Sequence, residues 1–362
     1  MFDGFQYVPI LKGRQGEYGA LQTTFSDAKP LLAPLIEIPP IPWDYKASQP
    51  GKTIDEHLRS VAGNIERAWG CFEPIFIDLM WIEDGERMVG GVHPLSHVFA
   101  TIRNRGIQAI PVTGLARHQA YQEACREVIR MDGRGLCLRL QREDFDESDD
   151  LASQTSRLLS DLGACEREAD LLLDLRAISP ADINGQAGDV IAMIDALPQL
   201  TSWRSFVLAG TAFPDDLMGL PPSARSAIPR AEWALWTELI SSHSLPRVPT
   251  FGDYAIASPQ PSEVDPRIMR PSASIRYTAE QSWIILKGRN LRDHGFAQFH
   301  QVSQALLGFP EYSGSDFSWG DRYISDCAGR LVGTGNLTTW RKVGTSHHVA
   351  YVLQQLANFS DV

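Results

Sequence analysis

The sequence lacks most of the signatures by which a chain of this length announces its chemistry. Its five cysteines, Cys71, Cys125, Cys137, Cys165 and Cys327, are odd in number and widely spaced, with no C-x-x-C pair. That excludes a disulfide framework and a cysteine-rich zinc site, and it fits reduced thiols in the cytoplasm. No apolar run approaches the roughly 18–20 residues that a membrane span needs. The N-terminal stretch has neither the basic nor the apolar region of a signal peptide. The expectation is therefore a soluble cytoplasmic protein without a membrane partner. Basic residues are also short: 33 Lys and Arg stand against 44 Asp and Glu, a net charge of −11. That balance excludes a broad nucleic-acid surface but leaves room for a local basic pocket. No H-E-x-x-H, G-x-S-x-G, P-loop or G-x-G-x-x-G pattern lies where a strand, turn and helix would give it meaning. Gly333-Thr334-Gly335 is not followed by the glycine and lysine of a phosphate loop.

What is present is a series of short apolar runs, each closed by one ionisable residue. Tyr7 to Leu11 stops at Lys12, Leu35-Ile36 at Glu37, and Ile75 to Ile77 at Asp78. Leu136 to Leu138 meets Arg139, and Leu171 to Leu173 meets Asp174. Continuous apolar strands alternating with helical stretches predict a parallel sheet buried on both faces. Eight such periods in about 255 residues predict an α/β fold of the (β/α)8 TIM-like barrel type. The barrel is assigned to residues 1–257. A C-terminal appendage, residues 258–362, carries a β-hairpin over 274–286 and helices, with the junction at Ser258 to Ser272. Helices are expected over 17–25, 54–69, 95–104, 119–130, 151–162, 181–196, 233–239 and 296–307. A last helix is expected over 347–356, capped by Thr345 or Ser346, with His347-His348 at its start.

In a barrel the strand ends share one mouth, so the charged residues that close the runs become neighbours. The carboxylates are Glu37, Asp78, Asp174 and Asp253. The cations are Lys12 and Arg139, joined by Arg117 and Arg176. Two readings follow. Carboxylates can hold a divalent cation, or act as general acid and base, while Lys12 and Arg139 grip a phosphate-bearing anion. The same groups can instead neutralise one another as a closed structural ring. A hairpin folded over the mouth would add Arg276, Tyr277 and Lys287, and Asp253-Tyr254 closes the eighth strand. The candidate ligand-binding set is therefore Lys12, Arg139, Asp253, Tyr254, Arg276 and Lys287, and the candidate catalytic set is Glu37, Asp78 and Asp174.

Tyr7-Val8-Pro9-Ile10-Leu11-Lys12 with Glu17 and Ala20-Leu21, then Pro34-Leu35-Ile36-Glu37, resembles the opening of the phage-type beta protein family. Gly252-Asp253-Tyr254, Ile275-Arg276-Tyr277-Thr278 and Trp340-Arg341-Lys342-Val343-Gly344 with His347-His348 are similar to its later blocks. The resemblance covers nearly the whole chain. It implies a phage or mobile-element setting and supplies no reaction. Two functions are carried forward. One is a barrel that binds an anionic small molecule or nucleotide, with metal-dependent hydrolase or phosphodiesterase chemistry. The other is a non-enzymatic module of phage–host conflict and antiviral defence, binding a partner protein through Trp81, Trp283, Phe317 and Trp319.

Overall fold

Eight of the apolar runs close on one another. A computed structural model describes residues 6–70, 72, 74–146, 150–242, 245–261, 265 and 268–360. Cys71 and parts of the 143–150 and 258–272 stretches fall outside them. The strands are β1 (Tyr7–Leu11), β2 (Leu35–Glu37), β3 (Trp43–Asp44), β4 (Gln49–Pro50), β5 (Phe76–Asp78), β6 (Ile110–Thr113), β7 (Leu136–Gln141), β8 (Ala169–Ala177), β9 (Ser205–Thr211), β10 (Ala224–Pro229), β11 (Thr250–Asp253), β12 (Ser272–Thr278) and β13 (Ser282–Asn290). The first eight helices are α1 (Gln15–Thr23), α2 (Ile54–Leu58), α3 (Val61–Ala68), α4 (Pro94–Arg103), α5 (Gln119–Asp132), α6 (Arg142–Asp146), α7 (Leu151–Leu162) and α8 (Ile183–Ala196). They are followed by α9 (Ala231–Ser242), α10 (Leu291–His294), α11 (Gln298–Leu307), α12 (Trp319–Ala328) and α13 (Leu337–Ser360). The barrel runs β1-β11-β9-β8-β7-β6-β5-β2 and is parallel throughout, as the apolar runs predict. No helix among the described residues is long and apolar enough to cross a membrane.

Inside the barrel Val8, Ile10, Leu35, Phe76, Ile110, Val112, Cys137, Leu172 and Val207 pack as one cluster. A larger cluster lies between the strands and the surrounding helices. The appendage has its own core of Ala273, Ile275, Tyr277, Phe299, Leu306, Ile324 and Trp340. Its sheet has the order β10-β13-β12. The hairpin is therefore present, but its third strand comes from residues 224–229, within the span assigned to the barrel. That strand reads weakly in sequence because Ala-Arg-Ser-Ala-Ile-Pro shows neither a continuous apolar run nor a strict alternation, and its partner is some sixty residues away.

Three expected helices differ. The 54–69 stretch is two helices broken at Arg59-Ser60, although the Thr53–Glu56 capping box forms as its spacing predicts. The 181–196 helix starts at Ile183, not at Ser179-Pro180, because the Asp182 carboxylate caps Gly185. The last helix begins at Leu337, ten residues before its expected start. Thr345 and Ser346 are therefore mid-helix and cap nothing. The β-branched residues and glycine in Thr338 to Gly344 read as poor helix formers, but burial of Trp340 and Val343 overrides that preference. Gly344 has a steric function. A Cβ there would lie 2.6 Å from Ile256 Cδ1 and 2.9 Å from the carbonyl oxygen of Arg276. Gly344→Val is expected to push α13 off β12 and lower stability by about 1–3 kcal/mol in urea denaturation, the usual cost of overpacking.

Candidate functional site

Strand register places the charges. Glu37 and Asp78 are direct partners on β2 and β5, and Gln141 pairs with Asp174 on β7 and β8. Arg139 sits two residues below Gln141, roughly 6.6 Å along the strand, within the reach of its side chain. Its guanidinium rises into the ring of strand ends and meets three carboxylates. Nη2 donates to Glu37 Oε1 at 2.8 Å and to Asp174 Oδ2 at 2.7 Å. Nη1 donates to Asp78 Oδ2 at 2.8 Å, and Nε donates to Asp174 Oδ2 at 3.0 Å. The Tyr254 hydroxyl accepts from Nη2 and donates to Asp174 Oδ2, both at 2.7 Å.

The remaining carboxylate oxygens are also occupied. Glu37 Oε2 accepts from Lys12 Nζ at 2.8 Å and from Trp81 Nε1 at 3.1 Å. Arg117 Nη2 donates to both oxygens of Asp78, at 2.8 and 3.0 Å. Asp174 Oδ1 accepts from the backbone N–H of Arg176 at 2.9 Å. Lys12 donates in addition to the carbonyl of Pro259, in the loop after β11. Glu37, Asp78 and Asp174 have no exposed surface, Arg139 is 3% exposed and Lys12 is 6% exposed. Three carboxylates thus face three cations, Lys12, Arg117 and Arg139, in a closed network. Burial alone would raise the Glu37 pKa, but Arg139 and Lys12 outweigh it and hold the carboxyl down to about 2. Burial lowers Lys12, with Glu37 opposing, and the surrounding carboxylates and Tyr254 hold Arg139 well above its ordinary range despite its burial.

Above this floor lies a half-buried rim of Met80, Trp81, Arg117, Gln141 and Arg176. The Arg176 guanidinium stands 5.3 Å from the centre of the Trp81 ring, and Lys12 Nζ stands 5.4 Å from the same ring. Arg176 has φ +56, a left-handed backbone that a non-glycine residue adopts at a cost, and β8 shifts register between Asp174 and Ala177. Its Nη1 is buried with no hydrogen-bond partner among the described residues.

The other sequence-predicted residues lie elsewhere. Asp253 accepts from the Tyr7 hydroxyl at 2.5 Å and bonds His348 Nε2 at 2.8 Å, in the seam between barrel and α13. Arg276 donates to the Ile256 carbonyl at 2.8 Å. Lys287 donates to the carbonyls of Leu217 and Leu220, both at 2.7 Å. The structure thus brings Lys12, Glu37, Asp78, Arg139, Asp174 and Tyr254 together and leaves Asp253, Arg276 and Lys287 outside the network. His347 and His348 do not start a helix. Both are fully buried, bonded to Thr278 O and Asp321 Oδ2 and to Thr278 Oγ1 and Asp253 Oδ2 respectively.

The whole-chain pattern decides the family. The Beta protein family model matches residues 7–354. The chain belongs to the phage-type Beta protein family. Among curated proteins, none matches this member of the family. Among solved structures, it is similar to the following three. Triosephosphate isomerase from Bartonella henselae shares 12% identity, covers 69% of this chain and 92% of its own, and has a TM-score of 0.35. A mutant tryptophan synthase α-subunit from Pyrococcus furiosus shares 14%, covers 70% and 88%, and has a TM-score of 0.39. The YdjI aldolase from Escherichia coli K12 shares 10%, covers 98% and 91%, and has a TM-score of 0.35.

A divalent cation does not fit the floor. Arg139 occupies the space between the carboxylates, and among the described residues no group of three or more His, Cys, Asp or Glu side chains is arranged to hold a metal. A cavity of ≈ 720 Å³ lies at the opposite end, lined by Arg134 and Gly135 before β7, Glu168 before β8 and Arg204 before β9. Arg126 and Arg130 of α5 also line it, and Arg130 lies in the last turn, where a cation complements the helix dipole.

Removing Arg139 leaves three buried carboxylates without their shared partner. Arg139→Met is expected to lose at least about 3–5 kcal/mol, the cost of breaking a buried pair from one side, as measured by chemical denaturation. Glu37 also sets an acid limit. Its folded pKa of about 2 lies below its ordinary 4.5, so its contribution is complete above pH 4.5 and disappears as the pH falls toward 2. In acid titrations of stability, Glu37→Gln is expected to flatten the loss in that window while lowering stability at neutral pH.

Proposed function

We propose that this protein is an anion-binding barrel whose mouth takes a ligand bearing a phosphate or carboxylate group. The Arg139 network forms the rigid floor, and the anion is gripped from the rim. Arg176 carries the reading: it is strained, its Nη1 is buried and unpartnered, and it has no ion pair among the described residues. Strained backbones and unsatisfied buried donors are found disproportionately at functional positions, held there by the surrounding structure. The charge count agrees, since three cations balance the three carboxylates and Arg176 remains as the cation in excess. Arg117 adds donors, as Asp78 occupies only its Nη2. In this reading Lys12 and Arg139 shape the site, and Arg176 with Arg117 holds the ligand.

A hydrolytic step through Glu37, Asp78 and Asp174 has less support. General acids and bases work best with a pKa near the working pH, and Glu37 is held far below it. A partner-binding surface built on the aromatic loops also has less support. Trp283 is fully buried against Phe213, and Trp81, Phe317 and Trp319 are half-buried. Family membership supports a phage setting.

The test is calorimetric titration with inorganic phosphate, citrate and nucleoside monophosphates. The wild type is expected to bind at least one of them, and Arg176→Gln to lose about tenfold or more, the worth of a charge-assisted hydrogen bond. Arg176→Gly is expected to lose the same affinity while gaining about 1 kcal/mol of stability by relieving the left-handed strain. Anion binding unchanged in both variants, or absent from the wild type, would reject the proposal.

A further inference from the structure

The seam between barrel and appendage holds a pair of like charges that its own residues do not neutralise. Arg276 on β12 donates through Nη1 to the carbonyl oxygen of Ile256 at 2.8 Å. Arg341 on α13 donates through Nη1 to the same oxygen at 3.0 Å. Two guanidinium groups that share one acceptor repel each other at close range. Neither forms an ion pair among the described residues. Glu17 is the carboxylate whose field reaches both, and it is already engaged in capping α1, accepting from the Arg14 backbone N–H at 3.2 Å. Arg14 adds a third positive charge near Arg341. Burial first, and Arg341 second, hold Arg276 well below the ordinary guanidinium range, the sign of a cation short of counter-charge.

The backbone is built to bring these side chains together. A Cβ on Gly16 would lie 2.8 Å from Cβ and Cγ of Arg341, and one on Gly344 would lie 2.9 Å from the carbonyl oxygen of Arg276. Glycine at both places lets α13 carry Arg341 against α1 and beside Arg276. The Arg276 guanidinium rests 4.9 Å from the centre of the Phe213 ring. Each arginine gives its Nη1 to Ile256, neither has another hydrogen-bond partner among the described residues, and both side chains are half-buried.

We infer that Arg276 and Arg341, with Arg14 beside them, form a binding site for a phosphate-type oxyanion at the seam between barrel and appendage. Three cations less one carboxylate leave two positive charges, the match for a phosphate dianion. Paired guanidinium forks present donors in the geometry that tetrahedral oxyanions accept. The bound anion would tie β12, α13 and the loop after β11 together. Arg176, at the end of β8, is not among the groups whose charge acts on Arg276 or Arg341.

The experiment uses the full chain carrying Arg176→Gln, so that the rim cannot contribute. Melting temperature and calorimetric binding are measured with inorganic phosphate and with phenyl phosphate, against chloride at matched ionic strength. Phosphate is expected to raise the melting temperature and bind once per chain. Tighter binding of phenyl phosphate would identify the phosphoryl group of a larger ligand as the occupant; tighter binding of inorganic phosphate would identify the free ion. Adding Arg276→Gln, which keeps a donor for Ile256, is expected to cost about tenfold or more in affinity and to leave the melting temperature in chloride no lower, because repulsion is relieved. Arg341→Gln should behave alike, and Arg276→Lys should recover part of the binding. A pair that merely pins the Ile256 loop predicts the reverse: lower melting in chloride and an undiminished response to phosphate. That result, or no response to phosphate in the parent, would overturn the inference.

Discussion

One arginine inside a parallel barrel sets the terms for the rest of the mouth. Arg139 offers its donors to Glu37, Asp78, Asp174 and Tyr254, and none of these groups reaches solvent. Bringing so many charges out of water costs several kcal/mol per ion before pairing repays it. The network therefore tolerates no partial version. Each carboxylate needs its cation, and each cation arrives from a different strand end or the loop after it: Lys12 after β1, Arg117 after β6 and Arg139 on β7. The ring works as a clasp on strands that sterics and apolar packing bring together. Such a clasp specifies one arrangement of strand ends more than it adds stability.

That constraint also divides the mouth into two layers. The floor is neutral as a unit and saturated in hydrogen bonds, so it has little left to offer a ligand. The rim is half-buried, and there Arg176 departs from local rules through its backbone conformation and an Nη1 without a partner among the described residues. Among the described residues Arg176 alone combines a left-handed non-glycine backbone with a buried, unpartnered donor, and such a coincidence is where function is to be sought. The seam shows the same logic in different form. Arg276 and Arg341 share one carbonyl with no ion pair among the described residues, and glycines at 16 and 344 make that approach sterically free.

The barrel was legible because its strands are continuous apolar runs, and the strand-end residues were legible because each interrupts such a run. Lys12, Glu37, Asp78, Arg139 and Asp174 all meet in space as that pattern implies. What the pattern could not show was their mutual saturation, which depends on the reach of Arg139 across the barrel to strands far away in sequence. Asp253 looks like the others in sequence, yet it turns toward Tyr7 and His348 in the seam, while the next residue, Tyr254, bonds Asp174 in the mouth. The early start of α13 and the strand Ala224–Pro229 were hidden for a related reason. Their local sequences are weak, and burial against distant partners decides their conformation.

The central claim is that Arg139 is the permanent internal counter-ion of the three strand-end carboxylates. The most direct test is an anomalous-difference map from crystals of the wild type soaked in manganese. The account predicts an undisplaced Arg139 guanidinium between Glu37, Asp78 and Asp174, with no manganese peak among them. A manganese peak ligated by those carboxylates, with Arg139 swung aside, would contradict it and place metal chemistry in the mouth.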